Sequence, residues 1–185
     1  MSESGDGTIA FRRMREDDLG LLVRWRHEPH VLRWFRDPPS NVEDAMDRYG
    51  DRLHGDHPTR MWVVEEDGEP VAQVQDFPID AEDELAVRVQ LPGAVGFDYL
   101  IGDPDRIGRG LGTRMIAQYL RQVVRRDHPD APWLVACPDA RNAASLRVLD
   151  KLGFTQRQWI QVPGEEYAQI VCRIAADDAP TVSYP

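Results

Sequence analysis

The run Arg106-Ile107-Gly108-Arg109-Gly110-Leu111-Gly112-Thr113 places three glycines at alternate positions ahead of an amphipathic stretch. Glycine lets the backbone curl with no Cβ penalty, so successive N–H groups can point into one concavity at the positive end of a helix, a geometry that binds a pyrophosphate. Arg109 and Arg114 stand where they can add charge-assisted contacts to phosphates. The run lacks the Gly-Lys-Ser/Thr ending of a P-loop, and it does not open a first βαβ unit as the dinucleotide fingerprint does. Glycine runs also serve as purely structural turns. Just upstream, Asp98 stands between Phe97 and Tyr99 in a segment that otherwise favours a strand, where aspartate has low propensity. A carboxylate there can bind an alkylammonium and take up the proton that the amine must lose before it attacks a carbonyl. A solvated strand acid is the plainer alternative.

The elements that must hold these groups are legible in the apolar periodicity. Residues 8–14 alternate as a strand, and a helix starts near Glu16 with Leu19, Leu22 and Val23 on one face. A second helix spans residues 41–53, with Ser40 as its N-cap. Residues 61–65 and 70–77 flank Glu66-Asp67-Gly68-Glu69 as a β-hairpin. Residues 80–91 read as an acidic loop ending at Pro92-Gly93, and 94–101 as the strand that carries Asp98. The glycine turn then leads into a helix over 113–126, followed by a short strand over 133–136 and a helix over 142–152 closed by Gly153. Strands over 155–162 and 166–174 turn at Pro163-Gly164, and the tail from Ala175 to Pro185 is expected to fray. This order implies one α/β domain, a mixed central sheet with helices on both faces.

Composition narrows the chemistry. At 185 residues and 42% apolar content, one domain can build a core without disulfides or metal. Cys137 and Cys172 lie far apart with no C-x-x-C or histidine cluster and read as two buried thiols. A net charge of −10 argues against nucleic acid and suits a cationic partner, although it also simply favours solubility. No apolar stretch is long enough to span a membrane and the first residues are acidic, so a cytoplasmic location is expected.

Strand, glycine turn and helix, followed by a strand, Asn142-Ala143-Ala144-Ser145 and Val148-Leu149-Asp150-Lys151-Leu152-Gly153-Phe154, closely resemble the GNAT superfamily of acyl-CoA-dependent N-acyltransferases, from Ile9 to Ile174. The resemblance implies a mostly antiparallel GNAT-like sheet and acetyl-CoA as co-substrate, with no metal. It places coenzyme A on Arg106, Ile107, Gly108, Arg109, Gly110, Leu111, Gly112 and Thr113. Asn142 would steady the pantetheine arm, and the N–H of Leu100 would hold the thioester carbonyl as charge builds on it. Asn142 also reads as a helix cap.

A closer likeness is to the aminoglycoside 6′-N-acetyltransferases, carried by Pro29-His30-Val31, Trp34-Phe35, Pro92-Gly93 and Gly96-Phe97-Asp98-Tyr99-Leu100-Ile101-Gly102. It implies that Asp98 is the base or proton relay facing the acceptor amine. Trp34, Phe35, Tyr99, Cys137 and Asp139 would line the acceptor cleft, although Trp34 and Phe35 read equally as core packing. The expected partner is therefore a small-molecule amine, with no nucleic acid or membrane, and the chain a monomer or homodimer. Departures stand out. The family's Gln or Arg ahead of the first glycine is Ile107 here, with Arg106 one step earlier. The tyrosine that protonates the leaving thiolate is replaced by Leu149, and a substrate-binding carboxylate of the relatives falls at Cys137. Acids before Pro92-Gly93 give way to Val87, Arg88, Val89 and Leu91, leaving Asp139 and residues 80–84 to supply negative charge. Siderophore-type (hydroxy)lysine acyltransferases share the same strand and turn but carry a histidine at the Asp98 position. A non-catalytic acyl-CoA-binding module is the other alternative.

Overall fold

The middle strands of the sheet are buried over consecutive residues, on both faces, in the computed structural model, which describes residues 7–164 and 166–180. In chain order the elements are β1 (Ile9–Arg13), a 3₁₀ turn (Glu16–Asp18), α1 (Leu19–His27), α2 (Pro29–Leu32), α3 (Val42–His54), β2 (Arg60–Glu66) and β3 (Glu69–Pro78). There follow α4 (Asp83–Val89), β4 (Val95–Ile101), α5 (Leu111–Tyr119), a π-helical turn (Leu120–Val124), α6 (Arg125–Asp127), β5 (Trp133–Ala136), α7 (Ala143–Lys151), β6 (Thr155–Ile160) and β7 (Gln169–Ala175). The strands form one sheet in the order β1-β2-β3-β4-β5-β7-β6. Only β4 and β5 run parallel.

Alternate residues serve opposite faces. On one face Trp62, Val64, Phe97, Leu134, Cys172 and Ile174 pack under α5 and α7 with Met115, Ile116, Tyr119 and Leu149. On the other, Met61, Val63 and Leu100 meet Leu19, Leu22 and Trp25 of α1, while Phe77, Val135 and Val171 meet Val89 of α4. Each large apolar side chain removed from water contributes roughly 1.5–3 kcal/mol, so both faces hold β4 firmly. A buried polar cluster braces the rear of the sheet. The carboxylate of Asp76, fully buried, accepts from Trp62 Nε1 at 2.9 Å, Arg60 Nε at 2.9 Å, His128 Nε2 at 2.7 Å and the Tyr119 hydroxyl.

Five expectations shift. Residues 80–91 are ordered, not a loop: after a 3₁₀ turn, α4 forms because Leu85, Ala86 and Val89 share a buried side and Asp83 and Glu84 suit its first turn. The cap of α3 is Asn41, whose Oδ1 accepts from the Asp44 N–H at 2.9 Å, while Ser40 gives its own N–H and hydroxyl to the Asp44 carboxylate. The helix expected over 113–126 begins at Leu111 and passes through the π turn. The terminal hairpin is shorter than expected, β6 ending at Ile160 and β7 starting at Gln169. Of the expected frayed tail, residues 176–178 form a 3₁₀ turn and the Ala176 N–H donates to the Pro132 carbonyl, while 181–185 lie outside the described residues.

Candidate active site

The parallel pair β4–β5 is in register at only two positions, Val95 with Leu134 and Gly96 with Val135. β4 nevertheless continues to Ile101, paired on its other side with β3 throughout. From Phe97 onward a wedge therefore opens beside β4, and backbone groups on that edge lack a ladder partner. Which groups these are follows from the alternation of an antiparallel ladder. The Ile79 N–H donates to the Ala94 carbonyl and the Gly102 N–H to the Val71 carbonyl, both between β3 and β4. The even-numbered residues of β4 therefore bond to β3. The N–H groups facing the wedge are those of Tyr99 and Ile101, and the Ile101 carbonyl on that same edge accepts from His30 Nε2 at 2.8 Å. Leu100, expected to offer its N–H to the thioester, instead turns that N–H toward β3 and buries its side chain beneath α1. Parity decides this point, and parity requires knowing the strand partner.

Asp98 and Tyr99 point to opposite faces. The Asp98 carboxylate, half-buried on the α1/α3 face, accepts from Gln75 Nε2 at 3.0 Å. Burial pushes its pKa up, against the Gln75 hydrogen bond and the charges of Arg26 and Arg52, and Glu82 adds to the rise. The Tyr99 hydroxyl lies 2.9 Å from Ser145 Oγ on α7, and burial pushes this phenol up to about 12.

The glycine turn has the expected form. After a 3₁₀ turn at Pro104–Arg106, Gly108 and Gly110 adopt φ of 74° and 79°, and Gly110 caps α5, so the first N–H groups of that helix have no intrahelical acceptor. A Cβ at Gly112 would come within 3.2 Å of Val148 Cγ2, so glycine there permits close approach of α5 and α7. Ile107 and Arg109 are exposed beside the turn. Arg106 and Arg114 are both engaged by Glu66, which is 4% exposed: Arg106 Nη1 lies 2.5 Å from Oε2 and Arg114 Nη2 2.7 Å from Oε1. That carboxylate, unremarked in the sequence, fixes the two sides of the turn. Breaking a buried ion pair from one side costs about 3 kcal/mol or more. Glu66→Gln is therefore expected to lower the urea midpoint by roughly 1–3 M, the free-energy loss divided by a urea m-value of about 1–3 kcal/mol/M, and an unchanged midpoint would show the clamp to be idle.

A groove of about 580 Å³ runs from the turn (Ile107, Gly108, Gly110, Leu111, Gly112, Thr113) along α7. It joins the wedge through a neck lined by Trp34, Phe35, Tyr99, Asn142 and Ser145, and the wedge, lined also by Asp98, Cys137 and Asp139, measures about 250 Å³. Asn142 caps α7, its Oδ1 accepting from the Ser145 N–H at 3.1 Å, which leaves its amide N–H₂ to donate into the groove. Beyond the wedge a further cavity of about 330 Å³ holds Asp98, Gln75, Arg52, Glu82, Glu84 and Cys137. Phe35 also packs against the α1 cluster, with the Arg26 guanidinium 4.7 Å from its ring, so it serves both core and cleft. Asp139 is tied to Arg141 at 2.8 Å, a hydrogen bond and charge that hold its carboxyl below the usual range. The Cys137 thiol is pushed up, by burial and by the Asp98 charge, and stays protonated. Gln75 and Arg52 escaped sequence reading because only strand register and helix packing bring them to Asp98. Among the described residues no cluster of His, Cys, Asp and Glu could hold a metal ion. Among the described residues, too, no helix is long and apolar enough to cross a membrane.

Comparison with known proteins accords with this geometry. Residues 14–162 match the family model described as an acetyltransferase (GNAT) domain. The aminoglycoside N(6′)-acetyltransferase type 1 of Klebsiella pneumoniae is 22% identical over 163 residues, 86% of this chain and 80% of that one. The N-hydroxyputrescine acetyltransferase of Acinetobacter baumannii is 28% identical over 124 residues, 66% of this chain and 56% of that one. Among solved structures, aminoglycoside acetyltransferase AAC(6′)-Ib in complex with coenzyme A superposes with a TM-score of 0.82 at 21% identity, over 92% of this chain and 96% of that one.

Proposed function

Since the chain belongs to the GNAT acetyltransferase family, we propose that it moves the acetyl group of acetyl-CoA onto a primary amine of a cationic small molecule, the 6′-amino group of an aminoglycoside foremost. Coenzyme A enters along the groove, its pyrophosphate on the N–H groups of residues 108–113. The Asn142 amide meets the pantetheine arm. The thioester carbonyl at the neck takes the free N–H of Tyr99 or Ile101, where preorganised donors stabilise developing charge. The acceptor lies in the wedge and the cavity beyond.

The observation that carries this reading is Asp98, a half-buried carboxylate at the junction of wedge and cavity with its pKa raised by desolvation. A raised carboxylate is the better base, and beside Glu82 and Glu84 it offers a negative wall to a polyamine. The relatives that bear aminoglycoside names support the acceptor class. Incubation with acetyl-CoA and kanamycin or tobramycin is expected to add one acetyl group, read by mass spectrometry, and NMR should place it on the 6′ nitrogen. Acetylation of hydroxylysine or a simple polyamine, with neither antibiotic modified, would sink the aminoglycoside assignment.

One observation favours a second reading, a siderophore-type acceptor. Arg52 lines the same cavity, 3.3 Å from Gln75 Oε1, and its guanidinium meets no carboxylate among the described residues. It suits an acceptor that carries a carboxylate as well as an amine.

A further inference from the structure

The leaving-group side of acetyl transfer has no assigned residue in this chain. The position at which relatives carry a tyrosine is Leu149, 1% exposed and packed in the core with Leu152 and Phe154. Among the residues that line both the groove and the wedge, those with hydroxyl groups are Tyr99 and Ser145, 2.9 Å apart. A thioester bound with its pantetheine in the groove and its acetyl group toward Asp98 must present its sulfur at that neck. Ser145 is held there by α7, its N–H spent on the cap to Asn142 Oδ1. The Tyr99 phenol remains protonated across the physiological range. When that phenol donates to Ser145 Oγ, the serine must turn its own proton away from the tyrosine, toward the neck.

We propose that the Ser145 hydroxyl donates a hydrogen bond to the coenzyme A sulfur as it leaves, and that Tyr99 is the positioning residue that orients it. The inference rests on the acetyl-transfer reading above, not on the identity of the acceptor. The amine nitrogen forms the C–N bond, the tetrahedral adduct collapses by breaking C–S, and the electron pair departs on sulfur, where Ser145 O–H meets it. The ammonium acceptor gives up two protons in all. One ends on the thiol and the other in solvent, so Ser145 and Tyr99 finish the cycle as they began.

The hydrogen bond can be tested without an acceptor. A donor aimed at sulfur favours thiolate over thiol, so wild-type affinity for coenzyme A, relative to desulfo-coenzyme A, should rise as pH climbs through the thiol range near 8.5. Bonds to charged groups are strong enough for a gain of roughly tenfold or more. Ser145→Ala should abolish that gain while affinity for desulfo-coenzyme A stays unchanged, and Ser145→Thr should restore it. Asp98, Cys137, Asp139, His30, Arg36, Arg147 and Lys151 also line the neck and its flanking cavities. They are common to every variant and cancel in the comparison. In turnover, Ser145→Ala should lower kcat roughly 10- to 100-fold with little change in the KM for acetyl-CoA. Tyr99→Phe should lower it less, and the double variant should fall no further than Ser145→Ala alone. A pH gain that survives in Ser145→Ala would overturn this inference while leaving acetyl transfer intact. Failure of the wild type to bind coenzyme A would overturn both.

Discussion

Asp98→Asn is expected to remove nearly all acetyl transfer at neutral pH while making the protein more heat-stable. The asparagine keeps the shape of the side chain and can still accept from Gln75 Nε2, now 3.0 Å from Asp98 Oδ2, but it carries neither charge nor basicity. Loss of a general base lowers kcat by about 10²- to 10⁴-fold. Part of that loss should return at higher pH, where more of the amine is already neutral. Affinity for acetyl-CoA should hardly change, because Asp98 does not line the groove that runs from the glycine turn. The stability effect follows from the direction of the pKa shift. Burial raises Asp98 above its unfolded value. Its favourable contribution is therefore present below the unfolded pKa and is lost as pH rises through the folded one, so at neutral pH the ionised side chain weakens the fold. A neutral amide in its place escapes that cost. Thermal melts at pH 7 should show a higher Tm for the variant, and the gap should close as pH falls into the carboxylate range. A folded variant with wild-type kcat would remove Asp98 as the base and turn attention to Glu82, the nearby acid that adds to the Asp98 shift.

Where sequence reading succeeded and failed follows from the range of the forces involved. The glycine turn is local: φ values of 74° and 79° are recorded in the residue types themselves, and the helix beyond announces its buried face every three to four residues. Asp98 was visible because a charge in the middle of an apolar strand is a local inconsistency, and such inconsistencies concentrate at functional sites. What escaped is non-local. The wedge exists because β4 and β5 separate after two pairs, and nothing in either strand's composition shows where pairing stops. The choice between Leu100 and its neighbours as amide donor depends on parity against β3. Glu66 reads as a hairpin-end acid, and only folding brings Arg106 and Arg114 to it from two sides. Acidic density disguised α4, although the apolar spacing of Leu85, Ala86 and Val89 was present in the chain.

Gly110→Asp is expected to weaken acetyl-CoA binding severely in a protein that still folds. Gly110 occupies the N-cap of α5 with φ of 79°, and a Cβ added there would meet nothing within 4 Å, so the side chain fits. Aspartate is among the few residues that visit this left-handed region, at a cost of roughly 1–2 kcal/mol. It is also a strong N-cap, and its carboxylate can accept from the first-turn N–H groups. Those same N–H groups are the donors proposed for the pyrophosphate. The variant thus replaces an anion site by an internal anion: its donors are occupied and its field is reversed. Hydrogen bonds to charged groups contribute about 1.5–3 kcal/mol each, so the loss of two should weaken binding by roughly 100-fold or more, measurable by calorimetry. Gly110→Asn separates the two causes, since a neutral cap competes for the same N–H groups without the repulsion, and it should bind with intermediate affinity. Wild-type affinity in a folded Gly110→Asp protein would mean that the phosphates of acetyl-CoA rest elsewhere, with Arg147 and Lys151 of α7 the next cations along the groove to be tested.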